Sequence, residues 1–258
     1  MRPNSGRPSG RATGQIRRSS SSTTRRCVVA ACVAFGFVAG AATARASAGE
    51  TTGARWLGAT AESPGLLVFP PQGDPRVPRA VTIMLHGMCD VPERECPWFA
   101  EAVTPNSWLV CPRGPLRCES GGATWAWERR AETIDAAIRR VEAEYPGRVA
   151  AGTDDTLIGF SLGAFVAMDV VNHAPTRWSR VVLLGAKVTP DRRALLRGST
   201  RFVLGAGDLD ASRVHMELAA RRLHAAGVDA TFMSLGRVGH RFADDMDGWL
   251  ARALAPTE

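Results

Sequence analysis

From Ala80 onward the chain repeats one rhythm: a short apolar run that ends at or near a glycine, then a polar or helix-patterned segment. The runs are "AVTIMLHG" (80–87), "SWLVCPRG" (107–114), "DTLIGF" (155–160), "RVVLLGA" (180–186), "RFVLGAG" (201–207) and "DATFMSLG" (229–236). Between them, Ile134, Ile138 and Val141 recur at helical spacing within 132–147, with Pro146 and Gly147 as a stop. Further helices are expected over 161–173, closed by Pro175, over 212–226, and from about Phe242 to Leu254. Apolar runs of this length read as strands buried on both faces. Their alternation with helices predicts an α/β fold with a mostly parallel central sheet and helices on both faces. Residues 47–79 mix short apolar runs with glycine and proline and predict edge strands around Trp56–Leu57 and Leu66–Phe69. Only 14 residues separate the fourth run from the fifth, which leaves no room there for a large cap domain.

The first 46 residues have a different composition. They hold eight arginines and no acidic residue, which exceeds the net charge of +7 for the whole chain. The remainder is therefore close to neutral and offers no electrostatic case for binding a nucleic-acid backbone. A basic, serine-rich stretch to Arg26, an uncharged run from Cys27 to Ala44, and small residues at "ARA" (44–46) and "ASA" (46–48) form the pattern of a signal peptide. The competing reading is an uncleaved membrane anchor, since 18 apolar residues lie at the lower edge for a span. The expected division is a signal peptide at 1–46, N-terminal strands of the catalytic domain at 47–79, and the catalytic core at 80–258. The expected location is secreted or periplasmic, with no stable membrane span after cleavage.

Beyond the leader lie Cys89, Cys96, Cys111 and Cys118. An even number in an exported chain implies disulfides. Metal binding asks for closer cysteine spacing and usually histidines, and no histidine lies between Cys89 and Cys118. Neither a metal nor an organic cofactor is expected. Pairing of neighbours, Cys89 with Cys96 and Cys111 with Cys118, closes two short loops and is the favoured arrangement; crossed pairing remains the alternative.

Loops after the carboxyl ends of parallel strands build the sites of such sheets. "GFSLG" (159–163) is a strand–serine–helix junction. A turn this sharp strains the central residue, and flanking glycines remove Cβ clashes. Ser161 then stands at a helix amino terminus, where free N–H groups favour a developing oxyanion. Its hydroxyl needs a base. Of the five histidines, His173 ends the serine's own helix, His215 and His224 fall inside a helix, and His86 precedes a glycine at a strand end. His240, in the loop "GRVGH" after the last strand, is the candidate base. The orienting acid is Asp210 or Asp208, both in "GAGDLD" after the fifth strand. Lys187 occupies the region after the fourth strand and Asp191 opens the helix beyond it. The oxyanion donors are the N–H groups of Leu162 and, from the loop "LHGMC", of Met88. Trp98, Trp108, Trp125 and Trp127 are candidates for an aromatic subsite or, more simply, for buried packing.

On "HGM" (86–88), "GFSLG", "GDLD" (207–210) and "GH" (239–240), the chain from Ala80 to Leu254 resembles the α/β-hydrolases, and its short fourth-to-fifth connection resembles the small capless carboxylesterases and acyl-thioesterases. The resemblance implies the α/β-hydrolase fold and favours Asp210 as the acid. It also implies an esterase that cleaves a small-molecule ester through Ser161, Asp210 and His240 by way of an acyl-enzyme. The insert 89–118 and "WAW" (125–127) depart from the general pattern, so substrate identity is not carried over. A serine peptidase or amidase and an acyltransferase are the enzymatic alternatives. A non-enzymatic binding module would imply a broken motif, and no expected residue is missing.

Cleavage of the leader predicts a mature chain that begins near Ser47 or Gly49, to be read by amino-terminal sequencing of exported protein. Recovery of Met1 would show instead an anchor or a protein that stays inside.

Overall fold

The computed structural model describes residues 53–255 except 127, 129, 151, 153 and 189–199. The leader, Asp191 and Trp127 lie outside the described residues. Strands β1 (Arg55–Leu57), β2 (Leu66–Phe69), β3 (Ala80–Leu85), β4 (Ser107–Pro112), β7 (Asp155–Phe160), β8 (Trp178–Leu184), β9 (Arg201–Ala206) and β10 (Ala230–Ser234) form one sheet in the order β1-β2-β4-β3-β7-β8-β9-β10. The pairs β1–β2 and β2–β4 are antiparallel and the rest are parallel. Strands β5 (Leu116–Arg117) and β6 (Ala123–Thr124) pair as a small hairpin outside this sheet. Among the described residues the helices are α1 (Pro92–Glu95), α2 (Ala100–Val103), α3 (Arg130–Glu144), α4 (Leu162–His173), α5 (Arg213–Ala225) and α6 (Met246–Leu254), with a 3₁₀ turn over Cys96–Phe99.

Strand pleating sends alternate side chains to opposite faces, and here both faces are apolar. Val81, Ile83, Leu85, Leu157, Val181, Leu183, Phe202 and Leu204 join the layer with α3, α4 and α5. Met84, Ile158, Phe160, Val182, Leu184 and Val203 join the layer with the 3₁₀ turn, α2 and α6. This two-sided burial explains why the strands read as continuous apolar runs. The order reverses at β3: β4 lies on one side and β7 begins the progression to the other. At such a reversal two strand-end loops diverge and leave a crevice; here they are the loops after Leu85 and after Phe160. Residues 185–200, between β8 and β9, are too few for a separate domain. Among the described residues no helix is long and apolar enough to cross a membrane.

Two boundaries differ from the sequence pattern. The last helix begins at Met246 rather than near Phe242, because Asp245 caps it: its carboxylate accepts the Gly248 N–H. Strand β8 starts earlier, at Trp178, across an irregularity in its pairing with Asp155 and Thr156.

The cysteines pair neither as neighbours nor crossed, but nested: Cys89 with Cys118 and Cys96 with Cys111. The Cα–Cα spans are 5.6 and 6.3 Å, within disulfide reach. The reason lies in side-chain direction. Cys96 and Cys111 are both fully buried in the α6-side layer. Cys89 sits at the rim with a positive φ of 56°, beside the β5–β6 hairpin that carries Cys118. A Cβ on Gly122, in that hairpin, would overlap the Cys89 carbonyl oxygen. Sequence separations of 15 and 29 mean that each bridge constrains the unfolded chain by about 3–4 kcal/mol, more than seven-residue loops would. Peptide mapping of the oxidised protein should return Cys89–Cys118 and Cys96–Cys111; recovery of a Cys89–Cys96 peptide would contradict the structure.

Candidate active site

Ser161 occupies the turn from β7 into α4 with φ 53° and ψ −116°, a conformation that strains any residue with a Cβ. The turn is as tight as it is because α4 starts directly over the sheet. A Cβ on Gly163 would overlap the Leu85 carbonyl oxygen, and one on Gly159 would overlap the Gly163 carbonyl oxygen. The two glycines of the motif therefore serve backbone-to-backbone contact. The Ser161 N–H donates to the Leu184 carbonyl oxygen at the end of β8 (2.8 Å), which fixes the turn to that strand.

The acid and histidine loops are stitched to each other by backbone hydrogen bonds. Leu235 N donates to Ala206 O, Asp208 N to Gly236 O and Leu209 N to Val238 O, at 2.8–3.0 Å. Gly207 allows this approach, since a Cβ there would overlap the Val238 carbonyl oxygen. The outcome is a hydrogen-bonded line. His240 Nε2 lies 3.0 Å from Ser161 Oγ, and His240 Nδ1 lies 2.8 Å from Asp210 Oδ2. Because a carboxylate only accepts, Nδ1 carries the proton and Nε2 is left to accept from the serine hydroxyl. Asp210 is 4% exposed at its side chain while that of His240 is 51% exposed, so the acid is inside and the base faces solvent. Burial disfavours the Asp210 carboxylate, but the Ser212 N–H and His240 outweigh it and hold the carboxyl below its usual range. Asp208 points elsewhere, accepting from Arg213 Nε (3.1 Å) and Ser234 Oγ (2.6 Å). The structure thus brings together Ser161, Asp210 and His240 and leaves Asp208 outside.

Leu162 is the first residue of α4, so its N–H has no acceptor within the helix. Met88 lies on the opposite loop with an exposed side chain. That loop is held by buried side chains whose bracing role the sequence pattern does not show. His86 is fully buried; its Nε2 accepts from Gly114 N (2.9 Å) and its Nδ1–H donates to Gly87 O (2.8 Å). Burial above all keeps its ring neutral, as that pairing requires. Trp125 packs on the His86 ring and donates to its carbonyl (2.9 Å). Gly87 N donates to both carboxyl oxygens of Glu95, at 3.2 and 3.1 Å. No short motif marks Glu95; only its place between Pro92 and Cys96, behind a glycine eight residues earlier, could have drawn attention to it.

Aromatic rings form one wall. Phe160 packs on His240 (5.1 Å between centroids) and on Phe242 (4.6 Å), which also meets Phe99 and Trp98. Of the sequence-selected tryptophans, Trp108 and Trp125 are buried packing residues and Trp98 is partly exposed beside Phe242. A concavity of about 820 Å³, lined by residues such as Glu62, Arg113, Arg117, Glu132 and Arg139, includes neither Ser161 nor His240. Among the described residues no group of three or more His, Cys, Asp or Glu side chains is arranged to hold a metal ion.

No protein-family model matches the chain, and no curated protein does. Solved structures do. An esterase called PE8 superposes with a TM-score of 0.56 at 22% identity, over 72% of this chain and 97% of its own. A Bacillus cereus carboxylesterase gives 0.55 at 18%, over 73% and 94%. A Staphylococcus aureus S-formylglutathione hydrolase gives 0.57 at 12%, over 78% and 96%. The chain has the α/β-hydrolase fold. At these identities the likeness is one of architecture.

Replacing Gly163 by Ala drives a methyl group into the Leu85 carbonyl and should lower stability by about 3 kcal/mol through forced backbone displacement. The check is a urea denaturation midpoint, which would stay at the wild-type value if the contact were slack.

Proposed function

We propose that the protein is a serine hydrolase that cleaves carboxylic esters by way of an acyl-enzyme. The observation that carries this reading is the unbroken line from Ser161 Oγ through His240 to a buried, ionised Asp210, at 3.0 and 2.8 Å. His240 Nε2 takes the hydroxyl proton as Ser161 attacks the ester carbonyl, and returns it to the leaving alcohol. Asp210 holds the tautomer and stabilises the imidazolium. The N–H groups of Met88 and Leu162 receive the oxyanion. Water, activated by the same histidine, then releases the acid. That its structural neighbours include an esterase and a carboxylesterase favours esters as the substrate class.

The substrate side has an apolar rim. Met88 and Leu209, the first a proposed oxyanion donor and the second adjacent in sequence to Asp210, are 64% and 67% exposed. With Trp98 they offer contact surface to an apolar acyl or alcohol group at little cost in solvation. The leader and the two disulfides together support export, because such bridges persist in oxidising compartments.

Ser161→Ala and His240→Ala should each lower turnover of a p-nitrophenyl ester by a factor on the order of 10³ or more, since the members act as a unit. Asp210→Asn should damage turnover far more than Asp208→Asn, and a fluorophosphonate should label wild type but not Ser161→Ala. Full activity of a folded Ser161→Ala variant would sink the mechanism.

A further inference from the structure

We propose that Glu95 is a positioning residue of this site: its buried carboxyl holds the Gly87 N–H from behind and so helps to aim the Met88 amide at the oxyanion. The inference rests on the ester-cleaving reading above and concerns how that same site is kept in register.

The geometry is direct. Glu95 ends α1 and is 4% exposed. Both its carboxyl oxygens lie within hydrogen-bond distance of Gly87 N. A Cβ on Gly87 would stand 3.2 Å from Glu95 Oε1 and 3.5 Å from the Cβ of Ser161. A single glycine thus separates the buried acid from the proposed nucleophile. Holding the Gly87 N–H toward Glu95 fixes the His86–Gly87 peptide, one plane before the Gly87–Met88 peptide that carries the proposed oxyanion donor and whose carbonyl oxygen accepts from His86 Nδ1–H. Both ends of this contact are covalently tied. Cys96, next to Glu95, is bridged to Cys111 in β4, and Cys89, next to Met88, is bridged to Cys118 in the hairpin. A four-residue helix could not hold a side chain in place alone; the bridges do so.

The charge around Glu95 decides its protonation state. Asp90 precedes α1 and is bonded to Arg94 Nε at 2.8 Å, so the nearest cation is already engaged. Glu93 pairs with Arg113 at 2.5 Å. His86, beside Gly87 in the same loop, is held neutral by burial. On the far side of Gly87 stand Ser161 and His240. Burial first, then the negative charge of Asp90, push the Glu95 carboxyl up to about 8, against the opposing pull of the Gly87 N–H. Near neutral pH its carbonyl oxygen therefore accepts from Gly87 while its hydroxyl donates to Asp90. The neutral form suits an ester-cleaving site. An ionised Glu95 would set a negative charge one residue behind the place where the tetrahedral oxyanion develops. Turnover should then fall as pH rises through about 8.

The same shift has a stability consequence of fixed sign. The unfolded chain releases the Glu95 proton near 4.5, whereas the folded protein keeps it to about 8. Between these values the folded state binds the extra proton, so stability declines as pH rises across that window. Glutamine reproduces the neutral carboxyl, with an oxygen for Gly87 and an amide for Asp90.

The experiment compares wild type, Glu95→Gln and Glu95→Ala. It measures kcat and KM for a p-nitrophenyl ester and the rate of Ser161 labelling by a fluorophosphonate from pH 5 to 10. Urea denaturation at pH 5 and 8.5 and near-ultraviolet circular dichroism accompany it. Glu95→Ala should lower kcat by about 10- to 100-fold with KM little changed and the spectrum intact, somewhat less than the loss of an oxyanion donor itself. Glu95→Gln should recover most of that loss and abolish the decline in rate and in stability toward pH 8.5. Superimposable pH profiles for wild type and Glu95→Gln, or wild-type kcat in Glu95→Ala, would overturn the assignment. A wild type that is labelled but turns over no ester would fail the ester reading alone, and the labelling rates would then carry the comparison. A wild type that is neither labelled nor active would overturn both.

Discussion

The contact on which the site depends is the one between the first turn of α4 and the backbone at the end of β3. Gly163 lies so close to the Leu85 and His86 carbonyls that no side chain fits between them. That approach forces the chain to reverse within a few residues after Phe160, and the reversal places Ser161 at φ 53°. A residue is held in such a conformation only when its surroundings over-determine it. Here they do: the Ser161 N–H is bonded to β8, the glycines on both sides admit neighbouring backbone, and α4 is anchored by Val166, Ala167 and Val170 in the core. The strain is offset by burial elsewhere in the same helix.

The strand order makes this local geometry useful. Because the sheet reverses at β3, the loop bearing Gly87 and Met88 and the turn bearing Ser161 open toward one crevice. The loops after β9 and β10 reach the same place because they are hydrogen-bonded to each other, so Asp210 and His240 arrive as one unit. Gly185, with φ 60° at the end of β8, leaves room for both: a Cβ there would lie 3.2 Å from the His240 ring and 3.4 Å from the Asp210 carboxylate.

Much of this was legible in the chain. Continuous apolar runs mark strands buried on both faces, and each of the six runs from Ala80 onward became a strand of the sheet. Ser161, Asp210 and His240 were readable because each follows such a run, and strand ends in a parallel sheet converge. What was not readable depends on contacts between distant segments. The disulfides could not be paired from spacing, because pairing follows which cysteines share a core layer: Cys96 turns inward beside Cys111, and Cys89 outward toward the hairpin. His86 was legible as part of "HGM" at a strand end, but not for what its ring holds. Only the folded hairpin brings Gly114 to its ring and reveals it as a bracket. Glu95 was silent because a carboxyl in a short polar helix is usually solvated, and nothing in "PERE" says that its last residue faces inward.

The insert 89–118 then takes on a definite role in the architecture. It contributes one rim of the crevice and, through β4, a strand of the sheet, yet α1 and α2 are only four residues each and cannot be stable alone. Three devices order it. Phe99 packs edge-on against Phe242, which ties the insert to the loop after His240. The Asp247 carboxylate accepts from Ala102 N at 3.0 Å, which ties α2 to the last helix. The two bridges tie both of its ends to β4 and the hairpin. A buried acid is costly in any fold, and here the Gly87 N–H offsets part of that cost. Burial of Glu95 within this covalently tied insert is what raises its carboxyl, and the same burial sets it against the Gly87 N–H.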